Sequence, residues 1–411
     1  MKRINDGKTS YTKKSKTNDE FYGFDETPDI VDSDLMVDEA IEGFTDEANN
    51  QDESDDKEKW KRKMSADEFS SSCKSICFHW LDIDMTTGSP LSSNPDGSEI
   101  FGSLEGPVPL IRMYGVTQNK MSIMATIHGF TPYFFVSLPA GIDCSDNFLG
   151  QLRVSLDQKM KEKARGEEKK IIKYVLGIER SPDKQSLLGY HFNAKKEFLK
   201  IYVAMPSLVP GLKRIFDEGI MIQGCNTLVR AQTYESNVPF ILRFMIDNNI
   251  YGADWIELKE ATYSIREKSQ MVSRCNLEID VVFNNLIVHP SIGPWCSIAP
   301  LRILSFDIEC QGRKGHFPEA QFDPVIQIAN TVTLQGCDEP FIKNVFTLNS
   351  CLPIVGAQVI CSETEAEMFM KWRSFLNMVD PDILTGYNIM NFDIPYLLNR
   401  AKVYKLMLNH Y

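Results

Sequence analysis

The segment from 301 to 309 constrains the fold more than any other part of this 411-residue chain. Its first six residues, Leu-Arg-Ile-Leu-Ser-Phe, are mostly apolar, which is typical of a buried central strand. The acidic triplet Asp307-Ile308-Glu309 follows directly. Because residues i and i+2 of a strand point the same way, Asp307 and Glu309 should share one face, while Ile308 faces the opposite layer.

Two carboxylates on one face of a strand repel each other, and a bound cation removes that repulsion. Mg²⁺ suits a site of one or two carboxylates completed by water and substrate phosphate. The alternative is a pair of solvated charges leaving a strand, which is the ordinary interpretation of an Asp-x-Glu triplet. The position directly after a buried strand favours a functional role for this triplet.

A second polar segment, Gly386-Tyr-Asn-Ile-Met-Asn-Phe-Asp393, lies at an expected strand-to-helix turn. Asp393 taken alone fits a helix N-cap equally well. It stands beside Asn388 and Phe392, however, and two strands and a helix separate it from the first acidic triplet. Taken together, the two segments predict a third carboxylate at one site.

Residues 298–411 predict a mixed sheet flanked by helices. Strands are expected at 301–306, 325–333, 341–348 and 383–385. Ser362-Glu-Thr-Glu365 predicts a capping box, in which a hydroxyl and a carboxylate reciprocally satisfy free helix N–H groups. Apolar residues then recur at helical spacing, at Ala366, Phe369, Trp372, Leu376 and Val379. Pro381 should end this helix, and a last helix should begin near Asp393. A sheet with the order β-β-β-α-β-α normally continues, so we expect a domain cut short at Tyr411.

Residues 73–297 predict a separate α+β region of mixed sheets, in which short apolar runs are broken by Pro and Gly. The expected strands lie at 110–116, 121–127, 132–138, 198–204, 243–247 and 277–282, and the expected helices at 150–173 and 208–218. Residues 291–294, Ser-Ile-Gly-Pro, mark the expected domain boundary. Nothing in this region indicates a reaction.

Charge is concentrated at the N-terminus. The net charge is −12, but residues 1–72 carry nine more acidic than basic side chains and the remaining residues only three more. The acidic balance therefore does not argue against a nucleic-acid partner. We expect residues 1–72 to be a disordered acidic tail with basic clusters at 2–3 and 13–16. These clusters fit either a nuclear import signal or an ordinary solvated tail, and both interpretations stay open.

Several classes of protein are excluded. The sequence has no apolar run long enough for a membrane span and no secretory leader. Ten Cys are too few for a disulfide scaffold and favour reduced thiols in the cytosol or nucleus.

The two acidic segments resemble known motifs. Asp307-Ile308-Glu309 is similar to the first motif of the DnaQ-like (DEDD) 3′→5′ exonucleases, and Asn388-x-x-x-Phe392-Asp393 to their second motif as it occurs in family B DNA polymerases. The upstream segments at 234–238, 243–247 and 255–258 resemble the N-terminal domain of that family. The resemblance covers about residues 77–411; together with the expected tail at 1–72 it implies an N-terminal domain at 73–297 and a truncated RNase H-like exonuclease domain at 298–411.

The resemblance also implies proofreading of a frayed primer 3′ end. Asp307 would bridge two Mg²⁺ (or Mn²⁺) ions, Glu309 would bind one, and Asp393 would hold the second through water. Asn388 and Phe392 would hold the frayed strand. Arg313 and Lys314 either contact a phosphate or form a solvated basic turn. The implied partners are single-stranded DNA 3′ ends, primer–template DNA, polymerase accessory subunits and a sliding clamp, in the nucleus and without a membrane.

The chain departs from the family pattern in two ways. The third exonuclease motif, a Tyr followed by an Asp, and the polymerase palm, fingers and thumb are not found in the 411 residues. We therefore expect an incomplete two-metal site, no polymerase activity and impaired nuclease activity. One alternative is a non-catalytic isoform or fragment that binds single-stranded DNA or a replication partner. Another is a stand-alone RNase of the same fold, which the N-terminal domain disfavours.

Overall fold

The computed structural model describes residues 58–62, 74–91, 106–137, 144–184 and 196–406. Within these ranges the chain forms sheets of seven, five and four strands and a two-stranded hairpin, which confirms the expected α+β class. No helix in these ranges is long and apolar enough to cross a membrane. Both basic clusters, most of the expected tail, and Tyr411 lie outside the described residues.

The strands in chain order are β1 Ile76–Gly88, β2 Val108–Thr117, β3 Ser122–His128, β4 Tyr133–Ser137, β5 Val175–Lys184, β6 Lys196–Val203, β7 Ile220–Ile222, β8 Thr227–Val229, β9 Gln232–Tyr234, β10 Trp255–Leu258, β11 Tyr263–Ile265, β12 Leu277–Val282, β13 Leu286–His289, β14 Arg302–Cys310, β15 Val325–Leu334, β16 Ile342–Leu348, β17 Gln358–Ser362 and β18 Ile383–Thr385. The α-helices of the described residues are α1 Asp146–Lys163, α2 Val209–Glu218, α3 Phe240–Asp247, α4 Glu365–Val379 and α5 Asp393–Val403.

The N-terminal part contains two sheets. The seven-stranded sheet has the order β11-β12-β3-β2-β1-β10-β13, in which only the β12–β3 pair is parallel. The four-stranded antiparallel sheet has the order β5-β6-β4-β9. Its chain order β4-α1-β5-β6-α2-β9 places both helices on one face, over a core that includes Phe134, Leu152, Ile201 and Phe216. The expected strands at 110–116, 121–127, 132–138, 198–204 and 277–282 are confirmed.

The five-stranded sheet is built only from residues after the expected boundary. Its order is β17-β16-β15-β14-β18, with β14 antiparallel to β15 and parallel to β18. The inward face of β14, which includes Leu304, packs under α4. On α4 the expected residues Phe369, Trp372, Leu376 and Val379 are buried. This packing fixes β14 in the sheet and leaves Asp307 and Glu309 exposed on its opposite face, where Ile303 packs against the N-terminal part.

The strand expected at 243–247 is wrong, since these residues belong to α3. Periodicity alone does not distinguish a short buried strand from a helix in so brief an apolar run. The helix begins after Pro239, buries Phe244 and leaves Ile246 more than half exposed. The helix expected at 150–173 is also shifted. It begins at Asp146 because Ser145 caps it, and it ends at Lys163.

The helix cap is displaced by two residues from its expected position, and the reciprocal bond of a capping box is made to Glu363 and not to the N-cap residue. Thr364, not Ser362, caps α4, because its hydroxyl accepts a hydrogen bond from Glu367 N at 3.2 Å. The Glu367 carboxylate in turn accepts one from Glu363 N at 2.9 Å. The same Ser/Thr-x-x-Glu pattern occurs again two residues later, so the motif alone does not determine at which residue the helix begins. Ser362 ends β17, a strand that the sequence interpretation missed.

Part of the expected tail is ordered. Residues 58–60 are helical, and Trp60 and Arg62 are both buried. The composition of 1–72 is too polar for a core of its own, but two side chains can be buried against a core formed elsewhere in the chain. The disorder expected for 1–72 therefore does not hold at 58–62.

Candidate nuclease site

The outward face of β14 carries the first two candidate carboxylates. Along this strand Phe306 and Ile308 are buried, while Asp307 and Glu309 are exposed, as the strand period requires. Phe306 packs against Trp372 of α4 with ring centroids 5.4 Å apart. The buried residues therefore fix the direction in which Asp307 and Glu309 point, and both carboxylates face solvent.

Gly386 allows the second segment to approach the backbone of β14 closely, next to Asp307. β18 pairs with β14 only at Ile303–Ser305, and Gly386 then lies against the backbone of Phe306, the next residue of β14. A Cβ atom on Gly386 would clash with the carbonyl oxygen of Phe306 and with the side chain of Ile389. The absence of a side chain at Gly386 thus sets how closely residues 387–393 approach the acidic triplet.

Asp393 lies at the first residue of α5 and is almost fully buried. Its Oδ1 accepts a hydrogen bond at 3.2 Å from the backbone amide of Ile308, 85 residues earlier in the chain. Burial raises the pKa of Asp393, hydrogen bonds from backbone amides, including that of Ile308, oppose the rise, and the nearby Asp307 carboxylate raises it further. The structure therefore brings Asp307 and Asp393 together from two separate segments.

Glu309 lies two residues beyond Asp307 on the same exposed face, and no described contact joins it to Asp393. Within the described residues, no group of three His, Cys, Asp or Glu side chains is spaced to hold a metal ion. Asp307 and Asp393 nevertheless fit part of a divalent-cation site. They are hard oxygen donors, one exposed and one desolvated, and their mutual repulsion is what a cation would relieve.

Asn388 organises the turn that leads to Asp393. Its backbone is left-handed, with φ of 55°. Its carbonyl oxygen accepts hydrogen bonds at 3.1 Å from the amides of Asn391 and Phe392, and its Oδ1 accepts one from Asn391 Nδ2 at 3.0 Å. Asn388 itself stays exposed, so its amide group remains accessible to a ligand.

Aromatic side chains surround this turn. Phe392 is half-buried and contacts Phe317 and Tyr396, with ring centroids 5.6 and 5.5 Å apart. Phe317 is 74% exposed and Tyr387 is 93% exposed. Sequence reasoning selected Phe392 but missed Phe317 and Tyr387. Their exposure beside the carboxylates identifies them, and the sequence carries no signal of exposure for a single aromatic residue.

The loop after β14 is fixed by Asp323, which the sequence interpretation did not select. Its buried carboxylate accepts hydrogen bonds from Arg313 N at 3.2 Å, Arg313 Nε at 3.1 Å and Glu319 N at 2.8 Å. The Glu319 amide and the Arg313 guanidinium lower the pKa of Asp323. The guanidinium of Arg313 also lies 4.5 Å from the centroid of the Phe322 ring. Arg313 is therefore held within the loop, with 43% of its side chain still exposed.

A buried network holds α5 against α4 and the same loop. The Glu365 carboxylate accepts hydrogen bonds from Val325 N and Arg400 Nε, both at 2.9 Å, and from the Tyr404 hydroxyl at 2.8 Å. Arg400 also donates to the carbonyl of Ala320 at 3.1 Å, and Tyr396 to that of Asp323 at 2.8 Å. These bonds determine where α5, and hence Asp393 at its start, lies relative to β14.

Comparison with known proteins agrees with this geometry. Residues 231–411 match the family model for the exonuclease domain of DNA polymerase family B. Residues 129–210 match the model for the N-terminal domain of proteins like the DNA polymerase delta catalytic subunit. Residues 129–210 and 231–411 therefore belong to the N-terminal and exonuclease domains of family B DNA polymerases.

Within that family the similarity is to delta catalytic subunits. The chain is 43% identical to the DNA polymerase delta catalytic subunit of Drosophila melanogaster over 84% of its own length and 31% of that protein. The chain is 40% identical to the Bos taurus subunit over 80% of its own length and 29% of that protein. The chain thus spans about three-tenths of the length of these relatives. A family B DNA polymerase from Pyrobaculum calidifontis has a TM-score of 0.49 and 22% identity over 80% of this chain and 33% of its own. The matches to the family models and to the delta catalytic subunits do not favour the alternative of a non-catalytic isoform or fragment that binds single-stranded DNA or a replication partner.

Proposed function

We propose that this chain carries part of a divalent-metal-dependent 3′→5′ exonuclease that proofreads DNA ends during replication. The observation that carries the proposal is the juxtaposition of Asp393 with β14 at Asp307 and Ile308. A carboxylate that is buried next to a second carboxylate is costly unless a cation or proton compensates it. The match to family B exonuclease domains supplies the reaction class.

Asp307 and Asp393 would hold the metal, with Glu309 joining it by a side-chain rotation on the exposed face of β14. When bound, Mg²⁺ (or Mn²⁺) would activate a water molecule and stabilise the leaving oxygen. The role of the protein is to fix the carboxylates. The Ile308 amide orients Asp393, while the buried Phe306 and Ile308 hold Asp307 and Glu309 toward solvent. We expect residues 1–411 alone to be inactive as a polymerase and impaired as a nuclease.

The single strand would lie across the exposed aromatic residues beside these carboxylates. Phe392 and Phe317 would offer ring surface to the terminal bases, and Asn388 would donate to the strand from its exposed amide. Base–aromatic stacking is sequence-tolerant, as proofreading of any mispaired end requires. In this proposal a frayed 3′ end is the substrate, and primer–template DNA is its source.

We propose the expected division into an N-terminal domain at 73–297 and an exonuclease domain at 298–411. Its support is that the five-stranded sheet uses only strands from Arg302 onward. The similarity to delta catalytic subunits extends the proposal to a nuclear location and to polymerase accessory subunits and a sliding clamp as partners.

The test is metal binding and nuclease assay of the full chain. Isothermal titration with Mn²⁺ should show a site that Asp307→Asn and Asp393→Asn each weaken at least tenfold. Asp338→Asn, at an exposed position in the loop between β15 and β16, is the matched control and should bind as wild type. Single-stranded DNA with Mn²⁺ should yield slow nucleotide release that the same two variants abolish. Unchanged Mn²⁺ binding in both variants would contradict the proposed site.

A further inference from the structure

A short turn before the first sheet contacts both the N-terminal part and the five-stranded sheet region. Residues 58–60 are helical, and residues 61–62 follow them without regular secondary structure. Trp60 and Arg62 are each 7% exposed, whereas the side chain of Lys61 is 57% exposed. The turn contributes no strand to any sheet of the described residues. Its contacts are therefore made by side chains and carbonyl groups.

Trp60 attaches the turn to the five-stranded sheet region. Its indole packs edge-on against Phe375 of α4, with ring centroids 5.0 Å apart. Arg302, the first residue of β14, donates to the carbonyl of Trp60 at 2.9 Å and to that of Lys61 at 3.1 Å. The same guanidinium donates to the carbonyl of Val379 at 2.7 Å, so Arg302 links the turn to the end of α4.

Arg62 joins this region to the N-terminal sheet. Its Nη1 donates at 2.8 Å to the carbonyl of Lys120, in the turn between β2 and β3. Its Nη2 donates at 2.7 Å to Asp382, and its Nε lies 3.0 Å from Asp380, both just beyond α4. One planar guanidinium thus bonds to both sides of the junction, a geometry that a Lys ammonium does not reproduce.

The acidic side of the junction depends on Arg62 for compensation. Burial raises the pKa of Asp382, and the Arg62 charge opposes this rise. Asp380 also accepts a hydrogen bond at 2.8 Å from the hydroxyl of Ser122, the first residue of β3. Without Arg62, Asp380 and Asp382 would lose their ion pairs in this junction, and of the described residues only the nearby Arg302 charge would remain beside them. A buried charge that loses its partner is strongly destabilising at that place.

We propose that residues 58–62 act as a latch that docks into a receptor surface spanning both parts of the molecule and fixes their relative position. The receptor surface consists of Lys120, Arg302, Phe375, Asp380 and Asp382. The latch adds no strand to either sheet, and its one core side chain is Trp60, so its release would uncover the core at Phe375 while the strand pairing of both sheets is kept. The position of the exonuclease region then depends on a segment that lies before both domains in the chain.

Hydrogen-exchange mass spectrometry on the full chain tests this proposal. In Trp60→Ala and Arg62→Ala, amides at 118–122 and 379–383 should exchange at least tenfold faster, while amides of β4 and β6 stay at wild-type rates. Lys61→Ala is the matched control on the same turn and should change neither segment. Arg62→Lys, which keeps the charge but not the bridging geometry, should accelerate exchange at 118–122 by more than threefold.

The outcomes are separable. Unchanged exchange at 118–122 and 379–383 in Trp60→Ala and Arg62→Ala, or a uniform increase that includes β4 and β6, overturns the latch. The same holds if Lys61→Ala has an effect equal to that of Arg62→Ala. If Arg62→Ala does not fold, the exchange rates at 118–122 and 379–383 are measured in Arg62→Lys and Trp60→Phe, and these rates decide whether the latch exists. Metal binding at Asp307 and Asp393 is measured separately, so failure of the proposed function does not affect this result.

Discussion

At the scale of single residues, Asp393 shows how a functional carboxylate costs stability. Its pKa is raised by burial and by the nearby Asp307. A carboxyl group with a raised folded-state pKa destabilises the fold above its unfolded-state pKa, near 3.8. Below that pH the group is protonated in both states, and the cost is absent. As the pH rises through the folded-state pKa, the cost reaches its full size.

We therefore expect Asp393→Asn to stabilise the metal-free protein at pH 7 by roughly 1 kcal/mol, a common gain when a functional group is removed. The Asn carbonyl can still accept the hydrogen bond from Ile308 N. The gain should vanish at pH 3 and should be offset in the presence of Mg²⁺, which stabilises only the wild type. Urea unfolding at the two pH values, with and without Mg²⁺, measures this. Destabilisation at pH 7 without metal would contradict it.

Gly386 is the second residue whose role can be isolated. A methyl group at 386 has to displace the 386–392 turn from Phe306, because the obstacle is a backbone carbonyl. We expect Gly386→Ala to destabilise the protein by about 1–3 kcal/mol, as overpacking does, and to weaken Mn²⁺ binding. At Gly252 an added Cβ meets no described atom within 4 Å, so Gly252→Ala should change the unfolding free energy by less than about 0.5 kcal/mol. Equal effects of the two variants in urea unfolding would show that close approach is not the cause.

At the scale of elements, the position of α5 depends on an ion pair that is buried between helices. Arg400 and Glu365 are both less than a tenth exposed and share bonds with Val325 and Ala320. Arg400→Met leaves the Glu365 carboxylate without its cation and should cost about 3–5 kcal/mol in urea unfolding. The control is Lys371→Met, which breaks an exposed pair with Glu367 on α4 and should cost less than about 1 kcal/mol. If Arg400→Met costs no more than the control, the position of α5 does not depend on this ion pair.

The same elements show what the sequence can and cannot predict. Strand alternation correctly predicted that Asp307 and Glu309 face away from Ile308, because the period depends only on local geometry. The Arg400–Glu365 pair and the Asp323 contacts with Arg313 went unnoticed. Both contacts join charged residues across a turn or between helices. The sequence around these residues has no local pattern that marks them as buried. The strand predicted at 243–247 was wrong for a different reason, because the local pattern of these residues fits both a strand and a helix.

At the scale of the whole molecule, the charge distribution predicts how the proposed binding of DNA would depend on salt. Outside the acidic residues 1–72, acidic side chains exceed basic ones by only three, and the basic Arg313 beside the site is bonded to Asp323. Few phosphates would be neutralised, so the salt dependence of binding should be shallow. Affinity should then depend mainly on stacking of bases on the exposed aromatic side chains near Asp393.

We therefore expect Phe317→Ala and Tyr387→Ala each to weaken binding of a short oligothymidylate by about 1–3 kcal/mol, the usual value for loss of one base–aromatic stack. Tyr251→Ala removes a tyrosine that is 64% exposed in the N-terminal part and serves as the control, with no change expected. Fluorescence anisotropy measured between about 50 and 200 mM salt gives both the affinity and its dependence on salt. A steep slope together with unchanged affinity in both variants would mean that the strand follows a basic surface instead of the aromatic residues. The carboxylates would then lack the neighbouring binding surface that a frayed 3′ end needs to reach them.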